Sequence, residues 1–348
     1  MSEGSIEVSV KGRWVRVPSL DVNGKTIVVR GSWVKVAVVH DEEWLETELE
    51  DPAQCVQRLK EQESHGLRAD CFTFSQKLPA TLPKYSYPME RDSVAAICLA
   101  SFTEWWDKLP QETRKNVRRS QKRGVVVRVK QFDEDLIRGI IDVNDDSSVR
   151  QGRRNAHYGK SFDQTRKDHS SFLDRSDFIC AYHGNEMIGF LKVVYRGKVA
   201  SILNLAVKAS QNDKRPANAL VAKAVEICAA RGISHITYGM FNYGNKRHSP
   251  LLEFKIRNGF QEILVPRFYV PLTRWGALVM KLRLHLGLIG VLPYSVISLG
   301  VNVRTKLYSF KQFLSRCSST PEQPNRIRQM ECSTPPAGSN QRESFPDR

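Results

Sequence analysis

The feature that most constrains this chain is the order of apolar runs and turn pairs between Phe178 and Phe260. Phe178–His183 reads as a strand and stops at Gly184-Asn185, a pair suited to a tight hairpin. Met187–Tyr195 follows, rich in Val, Ile and Phe, and breaks at Arg196-Gly197-Lys198. Val199–Val207 is almost wholly apolar, which predicts a strand covered on both faces. A basic loop, Lys208–Arg215, leads into a helix predicted from Pro216 to Arg231. Leu220, Ala224, Ile227 and Cys228 share its apolar face, and Gly232 stops it. Ile233–Tyr238 is a fourth strand, parallel to the third because a helix crosses between them. Past the loop Gly239–His248, Ser249 can cap a short helix with Pro250 at its first position and Asn258-Gly259 at its end.

The totals bound the rest. With 348 residues the chain is long enough for two domains. Its 53 Lys and Arg against 37 Asp and Glu give a net charge of +16, which favours polyanionic partners: nucleic acid, nucleotide-linked substrates or an anionic membrane surface. The seven cysteines are scattered, with no Cys-x-x-Cys pair, so the reading is a reducing cytosol and no structural zinc. Met-Ser-Glu-Gly lacks the basic and apolar regions of a signal peptide.

Residues 1–108 read as a separate α/β unit. Arg13–Val17, Thr26–Val29, Trp33–Val39, Cys71–Phe74 and Val94–Leu99 are strand candidates, with a turn at Asn23-Gly24 and a helix opened by Asp51-Pro52. Asp41-Glu42-Glu43 reads as a solvated loop before the helix-like Trp44–Leu49. Residues 109–274 form the second unit, opened by a strongly basic helix, Leu109–Gly124. Arg114, Arg118 and Lys122 recur every four residues, and so do Lys115, Arg119 and Arg123. Like charges at that spacing oppose one another by a few tenths of a kcal/mol per pair, roughly. Two such stripes are either a solvated face or a phosphate-binding one, and there are no interleaved aromatics for stacking bases.

Val125–Lys130 starts the second unit's sheet and Phe132–Asn144 reads as helix. The polar loop Arg150–Ser161 carries two glycines and no apolar period; His157, Tyr158 and Lys160 are its titratable candidates. It is not a P-loop: the spacing from Gly152 to Gly159-Lys160-Ser161 is too long and no strand precedes it. Phe162–Asp174 reads as a polar helix and Phe260–Leu272 as a last strand or hairpin. Residues 275–314 are expected to form a helical extension, with the apolar Leu286–Val301 packed on the domain rather than lying on a membrane surface. Residues 315–348, rich in Ser, Pro, Gln and Arg, are expected to be disordered.

The order of elements resembles the GNAT acyltransferase fold: α/β, with a mixed sheet. Arg114-Lys115-Asn116-Val117-Arg118-Arg119, Lys122-Arg123-Gly124-Val125, Tyr238-Gly239, Phe254-Lys255 and Asn258-Gly259-Phe260 give it a closer resemblance to the FemABX family, which transfers amino acids from aminoacyl-tRNA. That resemblance implies two tandem GNAT-like units and a sheet that splays between the third and fourth strands to hold an extended acyl donor. It implies that Lys255 lends positive charge to the reacting carbonyl, beside Phe254. Tyr238, Asn242 and Tyr243 would line the splay, with His157 and Tyr158 as acid–base candidates and Lys160 near the substrate. Arg114, Arg118, Arg119 and Lys122 would hold a phosphate of donor or acceptor.

The chain departs from ordinary GNAT enzymes at the pyrophosphate loop, where Gln211–Ala217 has no glycine and Pro216 lacks an N–H. Lys214 and Arg215 would have to meet coenzyme A through their side chains. The expected activity is amide formation by acyl or aminoacyl transfer to an amine of a cell-envelope or metabolite precursor. Acyl-CoA or aminoacyl-tRNA would be the donor co-substrate, with no metal, in the cytosol or at the inner face of the membrane. Two rivals stand beside it: a CoA-dependent N-acyltransferase, and a catalytically silent module that binds RNA or anionic membrane. No dinucleotide glycine pattern, G-x-S-x-G or H-E-x-x-H occurs.

Overall fold

In the computed structural model, residues 3–10, 13–41, 47–62, 67–150, 153–242 and 249–284 are described. Tyr243, the acidic run from Glu42, residues 44–46, and the expected C-terminal features beyond residue 284 lie outside them.

The chain begins with an antiparallel ribbon: β1 (Glu3–Val10), β2 (Arg13–Val22), β3 (Lys25–Arg30) and β4 (Val36–Val39). Asn23 and Gly24 both take positive φ, 50° and 72°, as the turn between β2 and β3 requires. Trp33, expected in a strand, is 65% exposed and rests edge-on against Trp275. α1 (Pro52–Glu61) is capped by the Asp51 carboxylate, which accepts from the Gln54 N–H at 2.9 Å. β5 (Cys71–Ser75) and β6 (Met89–Cys98) follow. Next come α2 (Phe102–Lys108), the basic α3 (Gln111–Lys122), β7 (Val125–Lys130) and α4 (Glu134–Asp145).

A small ladder, β8 (Val149–Arg150) with β9 (Arg153–Arg154), precedes α5 (Phe162–His169). Ser161 and Gln164 form a reciprocal capping box that starts α5. The central stretch then supplies β10 (Ser176–His183), β11 (Glu186–Arg196), β12 (Val199–Val207), α6 (Pro216–Ala230), β13 (His235–Met240), α7 (Pro250–Arg257) and β14 (Gln261–Pro271). α8 (Arg274–Lys281) closes the described part.

Twelve strands form one sheet in the order β1-β2-β3-β4-β5-β14-β6-β13-β12-β11-β10-β7. The strand from the N-terminal part, β6, lies between β13 and β14, and β14 in turn pairs with β5. The sheet therefore runs without a break through both parts of the chain. Within it, β10–β11–β12 is antiparallel and β12–β13 is parallel, the arrangement of a GNAT sheet.

Alternation along β10 divides the core. Ile179 and Ala181 pack on one face with Val117 of α3, Leu220 and Val225 of α6, and Phe260. Phe178 and Cys180 pack on the other with Leu136, Ile140 and Val143 of α4 and with Phe190. The basic helix and α4 thus lie on opposite faces. A third cluster, with Leu59, Phe72, Phe74 and Phe268, fills the N-terminal part.

Candidate active site

β12 and β13 pair at only three positions, Val199 with His235, Ala200 with Ile236 and Ser201 with Thr237. At that vertex the Ser201 and Thr237 hydroxyls lie 2.9 Å apart, buried. Beyond it the strands separate, and both carry an irregularity at the point of parting. On β12, Ile202 faces Val193 while Asn204 faces Lys192, so Leu203 is the extra residue. On β13, Thr237 faces Ala96 of β6 while Met240 faces Val94, so the extra residue falls at Tyr238-Gly239. A bulge bends its strand and raises local twist, so two at one level drive neighbours apart. Gly239 takes φ +58° there.

A cavity of about 210 Å³ occupies this opening on the α4 side of the sheet. Its walls are Asn144 at the end of α4, Arg150 of β8, His157, His169 of α5, Phe190 of β11, Leu203–Ala206 of β12 and Tyr238 of β13. The polar loop is anchored here because Asn155 donates to the Asn144 and Ser147 carbonyls at 2.9 and 3.1 Å. It also accepts from the His157 N–H at 3.1 Å, which fixes the backbone that presents the imidazole.

Two histidines in this wall are held neutral. Burial and then the Lys160 ammonium hold His157 below its ordinary value; Asp168 pulls it up and Arg150 presses it down. The Asp168 carboxylate stands 3.8 Å from His157 Nδ1, too far for a hydrogen bond but close enough for Coulombic coupling. Asp168 also pairs with Lys160 and accepts from Trp14 Nε1 at 3.2 Å. His169 is only 3% exposed, and burial, with help from His157 and Lys192, pushes it down to about 4. Its Nδ1 has no hydrogen-bond partner among the described residues. Beneath it the fully buried Lys192 donates to the His169 and Ser171 carbonyls, and burial lowers it to about 8.

The sequence-predicted residues divide between the cavity and its surroundings. His157 and Tyr238 line it. Lys160 stands one residue behind, on Asp168, whereas Tyr158 is 47% exposed and outside. Lys255 is fully buried, and its Nζ donates to the Met240 carbonyl at 2.6 Å and lies 4.9 Å from the centre of the Tyr238 ring. Burial lowers its pKa to about 8. It braces the far end of β13 behind Tyr238 and does not line the cavity. Phe254 packs into the core on the α6 face, and Asn242 Nδ2 donates to Glu262 at 2.9 Å, on the side of β14.

Arg114, Arg118, Arg119 and Lys122 sit on α3, on the other face of the sheet from α4, and Arg118 lies over the Trp106 ring. Lys214 pairs with Asp213 at 3.7 Å, and Arg215 caps α6 in the left-handed region at φ 57°. The amides at the start of that loop are occupied. Asp146 accepts from the Ala209 N–H at 2.6 Å, the Ser210 N–H at 3.2 Å and the Ser210 hydroxyl. Burial alone would raise the Asp146 carboxylate, but these bonds bring it below its ordinary range.

His169, Arg150, Asn144 and Asp168 escaped the sequence reading. The capping pair Ser161 and Gln164 was a signal for where α5 starts, but nothing local shows that its last residue, His169, faces Phe190 of β11. No group of three or more His, Cys, Asp or Glu among the described residues is placed to hold a metal ion, and no described helix is long and apolar enough to cross a membrane.

Residues 108–248 match the family model described as Acetyltransferase (GNAT) domain. No curated protein sequence matches the chain. Among solved structures it is similar to the C-terminal domain of a putative lysylphosphatidylglycerol synthetase from Agrobacterium fabrum, at 15% identity and a TM-score of 0.51, over 76% of this chain and 87% of that one. It is similar also to FemX, at 10% identity and a TM-score of 0.52, over 80% of this chain and 90% of that one. At these identities the likeness is one of fold.

Proposed function

We propose that the chain is an acyltransferase that forms an amide in the opening between β12 and β13, taking its acyl or aminoacyl group from a phosphate-bearing donor. The observation that carries this is the imidazole of His157, held below its ordinary pKa, in the wall of a cavity bounded by β12 backbone that is left unpaired on the β13 side. In the reaction, the acceptor nitrogen attacks the donor carbonyl, the C–N bond forms, and the bond from that carbon to the leaving oxygen or sulfur breaks. His157 takes the proton that the nitrogen must shed, and the leaving group is protonated in turn. A base held below the ordinary histidine range is already unprotonated at neutral pH.

An aminoacyl ester fits the site better than an acyl-CoA thioester. Pro216 has no N–H, Arg215 stands where small residues admit a pyrophosphate, and Asp146 fills the first loop amides. The outward cations of α3 suit the backbone of a larger polyanionic donor, on the opposite face. A cytosolic site, with contact to an anionic membrane through the same charge, goes with that reading.

The test is a thermal-shift and single-turnover screen of acetyl-CoA, long-chain acyl-CoA, UDP-sugars and aminoacyl-tRNA. A true donor raises the melting temperature by mass action and transfers its acyl group to an amine. Stabilisation by any polyanion, abolished by moderate salt and without transfer, would instead make the chain a silent binding module.

A further inference from the structure

The cavity holds a cation whose hydrogen bonds are mostly unspent. Arg150 reaches it from β8, and among the described residues its guanidinium donates only to the Val143 carbonyl, through Nη2 at 2.7 Å. A guanidinium has five N–H donors in a planar fork. Asp146 lies near enough to favour the Arg150 charge, but its oxygens already serve Ala209 and Ser210. The remaining charges do not balance it. Asp168 is committed to Lys160, and Lys192 adds a further ammonium bonded only to carbonyls. The same cavity wall includes His169, nine-tenths buried or more, with Nδ1 unpartnered among the described residues. Arg150 is half-buried, and burial disfavours its charge; a bound anion offsets that while completing the fork.

We infer that Arg150, with His169, forms an anion subsite for the acceptor, so that the acceptor is an amine bearing a carboxylate or phosphate a few bonds from its nitrogen. The inference rests on the proposed transferase reading and adds the acceptor's chemistry to it. The cavity of about 210 Å³ has the size for a molecule on the scale of an amino acid. Its anion sits at Arg150 and its nitrogen at His157. His157 is faced by Lys160 from its own loop, by Asp168 and His169 from α5, by Arg150 from β8 and by Tyr238 from β13. Burial apart, both Lys160 and Arg150 lower its pKa. An anion on Arg150 therefore makes His157 a stronger base when the acceptor is bound.

The experiment uses the full chain and matched probes: β-alanine against β-alaninamide, and phosphoethanolamine against ethanolamine. Binding is followed by calorimetry and the His157 ring by NMR titration. At least one anionic probe should bind about tenfold more tightly than its neutral partner and raise the His157 pKa, and Arg150→Gln should abolish both effects. The arm that responds identifies carboxylate or phosphate. The wild-type difference in His157 titration needs no variant, so it stands even if Arg150→Gln fails to fold. Equal binding of anionic and neutral probes, or a preference that survives in Arg150→Gln, overturns the subsite. Absence of acyl transfer from every donor in the wild-type chain would instead overturn the transferase reading, whatever Arg150 does.

Discussion

The two borders of β12 behave oppositely. Along β11 it is paired from Val199 to Val207, with Gly189 closing the far end of the ladder. Along β13 the pairing stops after Ser201. The same strand, with the same apolar composition, is a sealed seam on one side and an open edge on the other. Sealing on the β11 side depends on close approach. A Cβ on Gly189 would come within 2.8 Å of a Val207 methyl and 3.0 Å of the Ala206 carbonyl. Opening on the β13 side depends on two bulges at one level. Backbone groups left unpaired inside a protein need partners, so a gap of this kind reads as a place for a ligand rather than as poor packing.

The largest expected effect is on the open side. His157→Gln should lower the transfer rate about 10²- to 10⁴-fold while leaving the circular dichroism spectrum and melting temperature unchanged. In the wild type, the acid limb of the rate profile should fall below pH 6.5, the ordinary histidine value, because burial depresses His157. An intact rate in His157→Gln would move the general base elsewhere in the cavity.

Next in size is Lys192→Met, which tests the buried charge beneath the site. Lys192 is lowered to about 8 when folded, from 10.5. The unfolded chain therefore binds more protons between these values, and the lysine's stability penalty, full below pH 8, is relieved as pH rises. Relative to Lys192→Met, the wild type should gain up to about 3 kcal/mol of unfolding free energy between pH 8 and 10.5, measured by urea denaturation. A difference that stays flat across that window would mean Lys192 titrates normally.

On the sealed side, Gly189→Ala should cost about 1–3 kcal/mol through overpacking, read from a denaturation midpoint. Acceptor binding per folded molecule should be unchanged, since Gly189 does not touch the cavity. The smallest effect is expected at the vertex. Ser201→Ala removes one buried hydroxyl partner of Thr237 and should cost about 1 kcal/mol. If it altered acceptor affinity more than stability, the width of the opening would be set by that hydroxyl pair.

Legibility from sequence followed the range of the interactions. The hairpin stops at Gly184 and Gly197 are local, and both glycines take positive φ, 60° and 56°. The bounds of β12 and the caps of α6 and α7 are local as well, fixed by Pro216, Ser249 and Asn258-Gly259. His157 was legible because a polar loop with glycines and a histidine stands out against apolar strands. The run of α3 was legible too, but not its direction: its periodic cations face away from the cavity because Thr113, Val117 and Ser120 face inward. Lys255 looked like a surface or catalytic lysine, and its burial against Met240 follows from α7 folding back on β13.

By itself the sequence determined the order of strands and helices from Val125 to Pro271, since turn residues, caps and apolar period act over a few positions. It determined the net charge and placed one histidine in a loop free to carry chemistry. Only the tertiary structure decided that β6 enters the sheet between β13 and β14, because strand pairing at long range leaves no local mark. Only it decided that Arg150, His157, His169 and Tyr238 share one cavity. Each comes from a different element, and their meeting depends on where two bulged strands part.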